Sequence, residues 1–457
     1  MAGKNHNPPS KSRLANLPSD VKIKKETRYE NCDEYEVSYK HPTDRLCPHC
    51  DSSDCVIKDN GYSQTVRHTP NALRGILVKL QKQRLYCKAC GRSFVVTPDW
   101  VHPSLHMTQA LYIVLYLSLT ESTSIASIAR QFCVSECIVM SVLNSVDFPS
   151  PSSLPEVLCI DEFKGNTGKW DPERKRWNNS TMHCNIADGD AGIVIDVLEQ
   201  ISATYITSYF RKFSVEQRKM VKLFCCDMNQ GFLKVARDVF PHAIVCIDMF
   251  HVVKLLNDAV NDIRLSYLRE INDRKKAGVA TAKDYVNLTL LKKSSKSLRM
   301  SNVKQERLGN PNNASRMEHL QVIFERFPDI AVAYDALQEF HLLRDEPSLF
   351  AKKADFSDWL RRYSSCSVET VRAAVRTIRL HRTKIVNTWE YRRSNSPAEG
   401  LNNKIKVLKR VSFGMHKFET FRKRILMTCG PIRLVNEPWT IFNEKRKGPA
   451  PDNLDPT

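Results

Sequence analysis

The sequence predicts an α/β protein whose sheet carries an acidic site and is interrupted by a long helical insertion. Three observations lead to this prediction. Two short, largely apolar runs, residues 157–160 and 221–226, have the length of strands, and an aspartate follows each run directly. Strand-like runs and turn or helix signals alternate between residues 157 and 248. From about residue 250 to residue 389 the strand pattern is absent, and long amphipathic stretches rich in Lys and Arg replace it.

The length, composition and net charge of the chain limit the classes of protein to which it can belong. The chain has 457 residues, of which 42% are hydrophobic, which is enough for two to four domains with a buried core. The net charge of +19 favours nucleic acid as a partner, although a generic basic surface would give the same value. No apolar run reaches the roughly 20 residues that span a bilayer, and the polar, basic N-terminus is unlike a signal peptide. We therefore expect a soluble cytoplasmic protein with no membrane partner.

Two Cys-x-x-Cys pairs follow a polar, basic segment, residues 1–30, that we expect to be a disordered tail. Each pair can form a tight turn that points two thiolates at one ion, and two such turns complete a tetrahedral site for one structural Zn²⁺ ion. Residues 51–86 separate the pairs, so a β-hairpin or more must fill the interval. The sequence therefore predicts a zinc ribbon at residues 40–100. Its predicted ligands are Cys47, Cys50, Cys87 and Cys90.

Other interpretations of these cysteines remain open. The two pairs are also compatible with unrelated reduced thiols. Cys55, His49 and His68 are spare ligands that we rank below the four. Many of the other cysteines among the 15 lie in apolar strand-like runs, where a reduced thiol behaves as a small hydrophobic side chain.

Residues 104–148 are predicted to hold a helix-turn-helix. Apolar residues recur at helical spacing from residue 125 to residue 132 and again from 138 to 143. Cys133 lies where a turn glycine is common, and Ser135 can cap the second helix. That helix would enter a DNA groove with Ser135 and Glu136 outward, although an ordinary helical hairpin has the same periodicity. A linker rich in Pro and Ser follows.

The next predicted domain, residues 155–255, has a succession of strands and helices that is typical of an α/β enzyme. Predicted strands at 157–161, 181–187 and 193–198 are followed by a helix at 203–210, a strand that ends at Asp227, a helix at 232–240 and a strand at 243–247. Three antiparallel strands followed by alternating helix and strand describe a ribonuclease-H-like sheet. In that sheet the first and fourth strands are neighbours, so Asp161 and Asp227 would come together. Strand alternation places Glu162 on the opposite face, and Asp188 and Asp190 are explained as turn formers.

A helical insertion, residues 256–390, separates these aspartates from a third acid, Glu399. The last part of the catalytic domain, residues 391–444, starts with a helix near Ser396, and a disordered tail at 445–457 follows. With Ser396 as N-cap, Glu399 occupies the third position of a capping box, a purely structural alternative. Glu390 is the substitute third acid. The helix behind Glu399 is basic, and its predicted DNA contacts are Lys404, Lys406, Lys409 and Arg410.

Three carboxylates suit hard divalent cations, and a pair of Mg²⁺ ions can catalyse phosphoryl transfer. Asp248 ends the last predicted strand, and His251 follows it. On its own, a histidine there would more often be a core residue. Trp389 could stack on an unpaired base, but core packing explains it better.

The ordered set of motifs resembles the DDE transposases of the ISL-three group of bacterial insertion sequences. The resemblance covers nearly the whole chain and includes the zinc ribbon and the helix-turn-helix. The further motifs that carry it are Ile160-Asp161-Glu162, Cys226-Asp227, Asp248-Met249-Phe250-His251, the run from Asn395 to Lys406, Gly414, and the run from Phe418 to Ile425.

The resemblance implies a function and assigns residues to it. Asp161, Asp227 and Glu399 would hold two Mg²⁺ or Mn²⁺ ions, with Asp248 and His251 as accessory residues. The N-terminal modules would bind the terminal inverted repeats of the element, and the enzyme would cleave DNA and transfer the freed strand to target DNA. Synapsis of two ends implies self-association, and the protein would act at the bacterial nucleoid. Two alternatives are a non-catalytic DNA-binding regulator and a ribonuclease-H-like nuclease without strand transfer.

Overall fold

The computed structural model of the chain describes residues 16–41, 46–59, 61–165, 169–173, 175–178, 181–412 and 415–431. The predicted tail at 445–457, the first 15 residues and Gly414 therefore lie outside the described residues. No single helix of the described part is long and apolar enough to cross a membrane. Two short helices pass such a test only as a pair bent by 111°.

Two small sheets form the N-terminal region. Their strands are β1 (Lys22–Arg28), β2 (Cys32–Ser38), β3 (Cys55–Asp59), β4 (Ser63–Asn71), β5 (Arg74–Gln81), β6 (Gln83–Cys87) and β7 (Ser93–Val96). A four-stranded sheet has the order β1-β2-β5-β4, and a three-stranded sheet has the order β3-β6-β7. The interval between the two cysteine pairs is thus filled by strands, as predicted.

The predicted disorder of residues 1–30 is wrong for residues 22–28. These residues form β1, which pairs antiparallel with β2 from Lys22↔Ser38 to Arg28↔Asp33. Val21 and Ile23 pack against the buried core of the sheet, which includes Tyr35. Apolar residues spaced between lysines therefore anchor a segment whose composition alone resembles a tail. The N-terminal domain starts before residue 40.

Three helices follow: α1 (Gln109–Thr120), α2 (Ile125–Gln131) and α3 (Glu136–Ser145). Ser124 caps α2, since its side chain accepts a hydrogen bond from the Ser127 N–H. The turn before α3 is left-handed at Cys133, with φ +51°, at the position where the sequence suggested that a glycine would be usual. Ser135 precedes α3 as predicted, but its side chain makes no capping hydrogen bond.

The central sheet has five strands. Its elements, with the small hairpin and helices between them, are β8 (Val157–Lys164), β9 (Lys169–Asp171), β10 (Arg176–Asn178), β11 (Met182–Asp188), β12 (Ile193–Leu198), α4 (Ala203–Phe210), α5 (Val215–Lys219), β13 (Leu223–Cys226), α6 (Gln230–Val239) and β14 (Ile244–Ile247). The order is β12-β11-β8-β13-β14. The first three strands are antiparallel, and β13 runs parallel to both β8 and β14. The β9–β10 hairpin and α5 were not predicted.

Eight helices follow the sheet, as the insertion prediction requires: α7 (Met249–Lys276), α8 (Ala282–Leu298), α9 (Asn302–Arg307), α10 (Asn313–Arg326), α11 (Pro328–Asp345), α12 (Leu349–Ser364), α13 (Glu369–Leu380) and α14 (Arg382–Tyr391). The insertion returns to the sheet through α14. The Thr388 hydroxyl bonds the backbone N–H and C=O of Ile247 at 2.9 and 2.8 Å, and Asn387 donates to the Val245 carbonyl. These bonds cover the outer edge of β14.

The last two helices of the described residues are α15 (Ser396–Val411) and α16 (Phe418–Cys429), and they cover one face of the sheet. Strand alternation separates the two faces. Leu158, Ile160 and Phe224 point into a core shared with α4, α6 and the helical insertion. Val157, Cys159 and Cys225 point into a second core with residues of α15 and α16. Residues 161 and 227 continue the second alternation, so they belong to the face that α15 covers.

Candidate metal sites

The four predicted zinc ligands converge on one point. Their sulfur atoms all lie within 4.8 Å of one another. Two of the separations, Cys47 to Cys90 and Cys50 to Cys87, are 3.6 Å. Four sulfurs bound to one Zn²⁺ ion at ~2.3 Å would stand about 3.8 Å apart at the corners of a tetrahedron. The cluster therefore fits one zinc ion in both donor type and spacing.

Two matching turns build this cluster. In the first, the Cys47 carbonyl accepts from the Asp51 N–H at 2.9 Å, and in the second the Cys87 carbonyl accepts from the Gly91 N–H at 2.9 Å. The residue after the second cysteine of each turn is left-handed, with φ +54° at Asp51 and φ +69° at Gly91. The turn allows backbone N–H groups to point at the sulfurs. The Cys90 N–H is the largest influence that lowers the pKa of Cys87, to about 6.

The spare ligands have other partners. His49 lies 3.4 Å from an Arg92 guanidinium nitrogen. His68 is buried and bonds the Thr108 hydroxyl at 2.9 Å. The Cys55 thiol donates to the Ser52 carbonyl at 3.5 Å. The ranking of these three residues below the four cysteines is consistent with their contacts.

The sheet register brings the two aspartates side by side. In the parallel pair, Cys225 lies opposite Cys159. Two residues further on, Asp227 therefore lies beside Asp161, on the same face. Asp161 is not at a strand end as predicted, because β8 continues to Lys164 in its pairing with β11. It lies at the edge because β13 ends at Cys226.

The protein environment disfavours negative charge on these aspartates. Burial raises the pKa of Asp161 to about 6, and the charge of Asp227 adds to the rise. Burial also raises the pKa of Asp227, and the charge of Asp248 acts in the same direction. Crowded, desolvated carboxylates are the arrangement that a bound cation relieves. The donor set thus fits hard divalent ions.

Asp248 and His251 lie at the start of α7, beside the aspartates. Asp248 is the N-cap of that helix and accepts from the Phe250 N–H at 3.0 Å. His251 Nδ1 lies 3.3 Å from the Asp248 carboxylate. This contact is the main cause that raises the pKa of His251, and the charges of Asp227 and Asp161 raise it further. His251 is half-buried and faces the acids rather than the core.

Glu399 approaches from α15. Burial raises its pKa, and Asp248 raises it further through its charge and a hydrogen bond. The predicted capping box is wrong: α15 starts at Ser396 with Asn395 as its N-cap, and no side chain caps it. Asn395 instead donates to the Ile160 carbonyl at 3.0 Å. Glu399 therefore does not take part in a capping box.

The acids form a looser group than the cysteines. Among the described residues, only the four cysteines bring three or more ligand atoms within 4.8 Å of one another. Glu162 lies on the opposite face by strand alternation, yet the charge of Asp227 still contributes to its raised pKa after burial. Glu162 therefore stands at the rim of the acidic group.

The remaining acidic and aromatic candidates are accounted for elsewhere. Asp188 accepts from the N–H groups of Asp190 and Ala191, so it is the turn former that was predicted. The substitute acid Glu390 forms an ion pair with Lys353 at 2.9 Å. The Trp389 ring packs edge-on against Phe356 at 5.0 Å, as the core-packing interpretation requires.

Sequence reasoning missed three asparagines around Asp161. Asn402 donates to the Asp161 carboxylate at 2.8 Å, and Asn185 donates to the Asn402 side-chain oxygen at 3.2 Å. Asn395 is the third. A signal was present, because residues 395, 399 and 402 share one face of a helix by their spacing. Asn185, the partner on β11, lies in no local sequence pattern that would have indicated this role.

The predicted DNA contacts are mostly exposed. Ser135 and Glu136 are exposed at the start of α3, and Lys404, Lys406 and Arg410 are exposed on α15. Lys409 is half-buried and donates to the Lys164 carbonyl at 3.0 Å, which ties the helix to β8.

Comparison with known proteins agrees with this architecture. A family model described as a transposase, of the DDE type and the ISL3 group, matches residues 158–425. A second model, described as the zinc-finger of transposase IS204/IS1001/IS1096/IS1165, matches residues 44–90. The transposase for insertion sequence element IS1001 of Bordetella parapertussis is 21% identical over 402 residues, which cover 85% of this chain and 90% of that protein.

Proposed function

The chain belongs to the ISL3 family of transposases, and from this premise we propose that Asp161, Asp227 and Glu399 form its catalytic metal site. One observation carries the assignment. The parallel register of β8 and β13 aligns Asp161 with Asp227 on the face covered by α15, the helix that carries Glu399. The charge of Asp227 helps to raise the pKa of Asp161, and the charge of Asp248 helps to raise the pKa of both Asp227 and Glu399, which supports the same grouping.

The sheet itself supports a ribonuclease-H-like core. Its order, three antiparallel strands followed by two parallel ones, is the order that the sequence pattern suggested for that fold. For α2 and α3, which are bent by 111° at the turn between them, we propose a DNA-binding helix-turn-helix with Ser135 and Glu136 at the groove. The zinc ribbon would contribute to recognition of the element ends.

The proposed reaction has two in-line displacements at phosphorus. In the first, a water oxygen attacks the phosphodiester at the element end, the P–O3′ bond breaks, and a 3′-OH is released. In the second, that 3′-OH attacks a target phosphodiester, and the target's own P–O3′ bond breaks. Two divalent ions, Mg²⁺ or Mn²⁺, would stabilise charge on the attacking and leaving oxygens.

The residues of this chain bind and orient the reactants. Asp161, Asp227 and Glu399 provide hard oxygen ligands for the ions. The Asp248 carboxylate raises the pKa of His251, and a protonated His251 would add a positive charge beside the acids, where a phosphate would lie. The exposed lysines and the arginine of α15 would position the DNA backbone, so that catalysis depends on geometry and electrostatics. Synapsis of two ends would require self-association.

The decisive experiment compares two glutamates. Purified protein, Mg²⁺ and a plasmid that carries the DNA flanking this gene are incubated, with wild type, Asp227→Asn, Glu399→Gln and Glu390→Gln. We expect cleavage at the element ends by wild type and Glu390→Gln, and a loss of at least about a hundredfold in the other two. End binding should be unchanged in all four proteins.

Other outcomes point elsewhere. Activity that survives Glu399→Gln but not Glu390→Gln would move the third ligand to α14. Cleavage without preference for the ends would favour a nuclease, and end binding by wild type with no cleavage would favour a regulator.

A further inference from the structure

A chain of buried amides links α15 to the middle of the sheet. Asn402 and Asn185 are 3% and 0% exposed. The Asn402 amide donates to the Asp161 carboxylate at 2.8 Å and to the Glu162 carbonyl at 3.2 Å. Asn185, opposite Asp161 on the neighbouring strand β11, donates to the Asn402 side-chain oxygen at 3.2 Å.

The direction of these hydrogen bonds fixes the role of each group. Because Asn185 donates to the Asn402 oxygen, the Asn402 NH₂ group must point at Asp161. The second oxygen of the Asp161 carboxylate accepts from the Glu162 N–H at 2.8 Å. Both oxygens of this carboxylate are therefore held, each by one donor, and each keeps a lone pair for a further partner.

This arrangement costs stability, which argues against a purely structural role. Leu401 and Ile405, on the same helix, are buried in the apolar core beneath the sheet face. Buried amides at neighbouring positions lose hydration that hydrogen bonds only partly replace. An aliphatic residue at position 402 would pack with less cost, unless the Asp161 carboxylate has to be held.

The helical spacing couples the hydrogen bond from Asn402 to Asp161 with the position of the third acid, Glu399. Asn402 lies three residues after Glu399, so the two side chains project from the same side of α15. Any shift of α15 would move Glu399 and the donor to Asp161 together. One helix thus carries one proposed ligand and controls the position of another.

We propose that Asn402, oriented by Asn185, is a positioning residue that holds the Asp161 carboxylate in register with Glu399 for divalent-ion binding. The proposal rests on the function proposed above. Residues that orient metal ligands typically affect metal affinity or activity by about 10–100-fold, and Asn402 is expected to behave in this way.

The test uses Asn402→Ala, Asn402→Asp and Asn185→Ala in the full-length protein, with Asn287→Ala as a matched control. Asn287 is a similarly buried amide in the helical insertion, where it accepts from Arg326 at 2.9 Å. Three quantities are measured: the Mn²⁺ concentration that half-maximally raises the melting temperature without DNA, the same concentration for end cleavage, and the end-binding affinity.

We expect both Mn²⁺ midpoints to rise about 10–100-fold in the Asn402 variants and less in Asn185→Ala, with unchanged end binding. Asn402→Asp keeps the size of the side chain but loses the donor, so it should be at least as impaired as Asn402→Ala. Asn287→Ala should leave both midpoints at the wild-type value. If an Asn402 variant fails to fold, the smaller rise expected for Asn185→Ala still tests the proposal.

Two results are distinguishable failures. Asp161→Asn is included as a variant of the proposed metal site itself. Wild-type Mn²⁺ midpoints in the Asn402 and Asn185 variants, alongside an inactive Asp161→Asn, would overturn the positioning role of Asn402 and leave the proposed function standing. Normal cleavage by Asp161→Asn would overturn the proposed metal site and, with it, the positioning role of Asn402.

Discussion

At the scale of single residues, the acidic site is an arrangement that favours cation binding over stability. The carboxylate of Asp161 is buried, and its donors are an amide and a backbone N–H, both uncharged. Burial favours the neutral acid, which is why its pKa rises to about 6. In the folded protein without metal, ionisation of this group opposes folding.

The sign of the pH effect follows from this shift. A carboxyl group whose pKa is higher in the folded state binds its proton more tightly there. Its contribution is fully present below the unfolded value of 3.8 and is lost as pH rises through about 6. We therefore expect Asp161→Asn to raise the melting temperature of the metal-free protein. The difference between variant and wild type should grow as the pH is raised from about 4.5 to about 6.5, the range in which the wild type loses this contribution.

The measurement is thermal unfolding of wild type and Asp161→Asn in chelator across that range. Added Mn²⁺ should reverse the order, since the wild type gains stability from binding and the variant gains little. A difference in melting temperature that does not vary with pH would contradict the raised pKa.

At the scale of elements, α16 joins three parts of the molecule within one turn. Arg422 pairs with Asp196 of β12 at 2.6 Å, and Lys423 donates to the Asn144 carbonyl at the end of α3. Arg424 is fully buried and donates to the carbonyls of Leu119, Glu121 and Thr123, which end α1 and precede α2. The helix after the third acid is thus bonded to the proposed DNA-binding helices.

Arg424 should be the most sensitive position of this helix. Burial lowers its pKa to about 10, and within the described residues no carboxylate lies at ion-pair distance. Arg424→Met would leave one buried and two partly buried carbonyls without their donor, so we expect a loss of roughly 3 kcal/mol in the free energy of unfolding. Denaturant unfolding measures this loss.

Arg361→Met provides the control, because Arg361 is exposed and pairs only with Asp358 on its own helix among the described residues. Its expected effect is within about 0.5 kcal/mol. Similar losses in the two variants would show that the buried hydrogen bonds of Arg424 contribute little.

Sequence reasoning worked at both scales where the signal is local. Paired cysteines, apolar runs that end in aspartate, and helical periodicity are short-range patterns, and the ribbon, the sheet strands and the helical insertion follow from them. It failed where a contact between residues far apart in the sequence determines the local structure. The β1 segment looks disordered until β2 covers it, and Ser396 looks like a cap until Asn395 bonds to β8. The Asn185–Asn402 hydrogen bond joins residues 217 positions apart, and no local sequence pattern predicts it.

At the scale of the whole molecule, the net charge of +19 should dominate DNA affinity. Lys404, Lys406 and Arg410 are exposed on the helix that carries Glu399. If each contacts a phosphate, replacing one with Ala should lower the slope of log affinity against log salt by roughly 0.9. Lys409 should contribute less, because it is half-buried and bonded to the Lys164 carbonyl.

Titration of end binding with salt, at fixed pH and without divalent ions, checks these slopes. Lys276→Ala is the control: Lys276 is exposed at the end of α7 and pairs with Asp273 at 3.6 Å. An equal change of slope for Lys276→Ala would mean that affinity depends on the total charge of the molecule and that α15 does not contact the DNA phosphates specifically.

The packing of α16 also constrains how the protein is made. Met415 and Met427, near the end of the described chain, complete the apolar core of α1, α2 and α3. During synthesis, these early helices emerge long before the residues that finish their core. Such long-range closure slows folding and leaves apolar surface exposed on the nascent chain. A chain truncated before α16 would therefore have N-terminal helices that are incompletely packed and expose apolar surface.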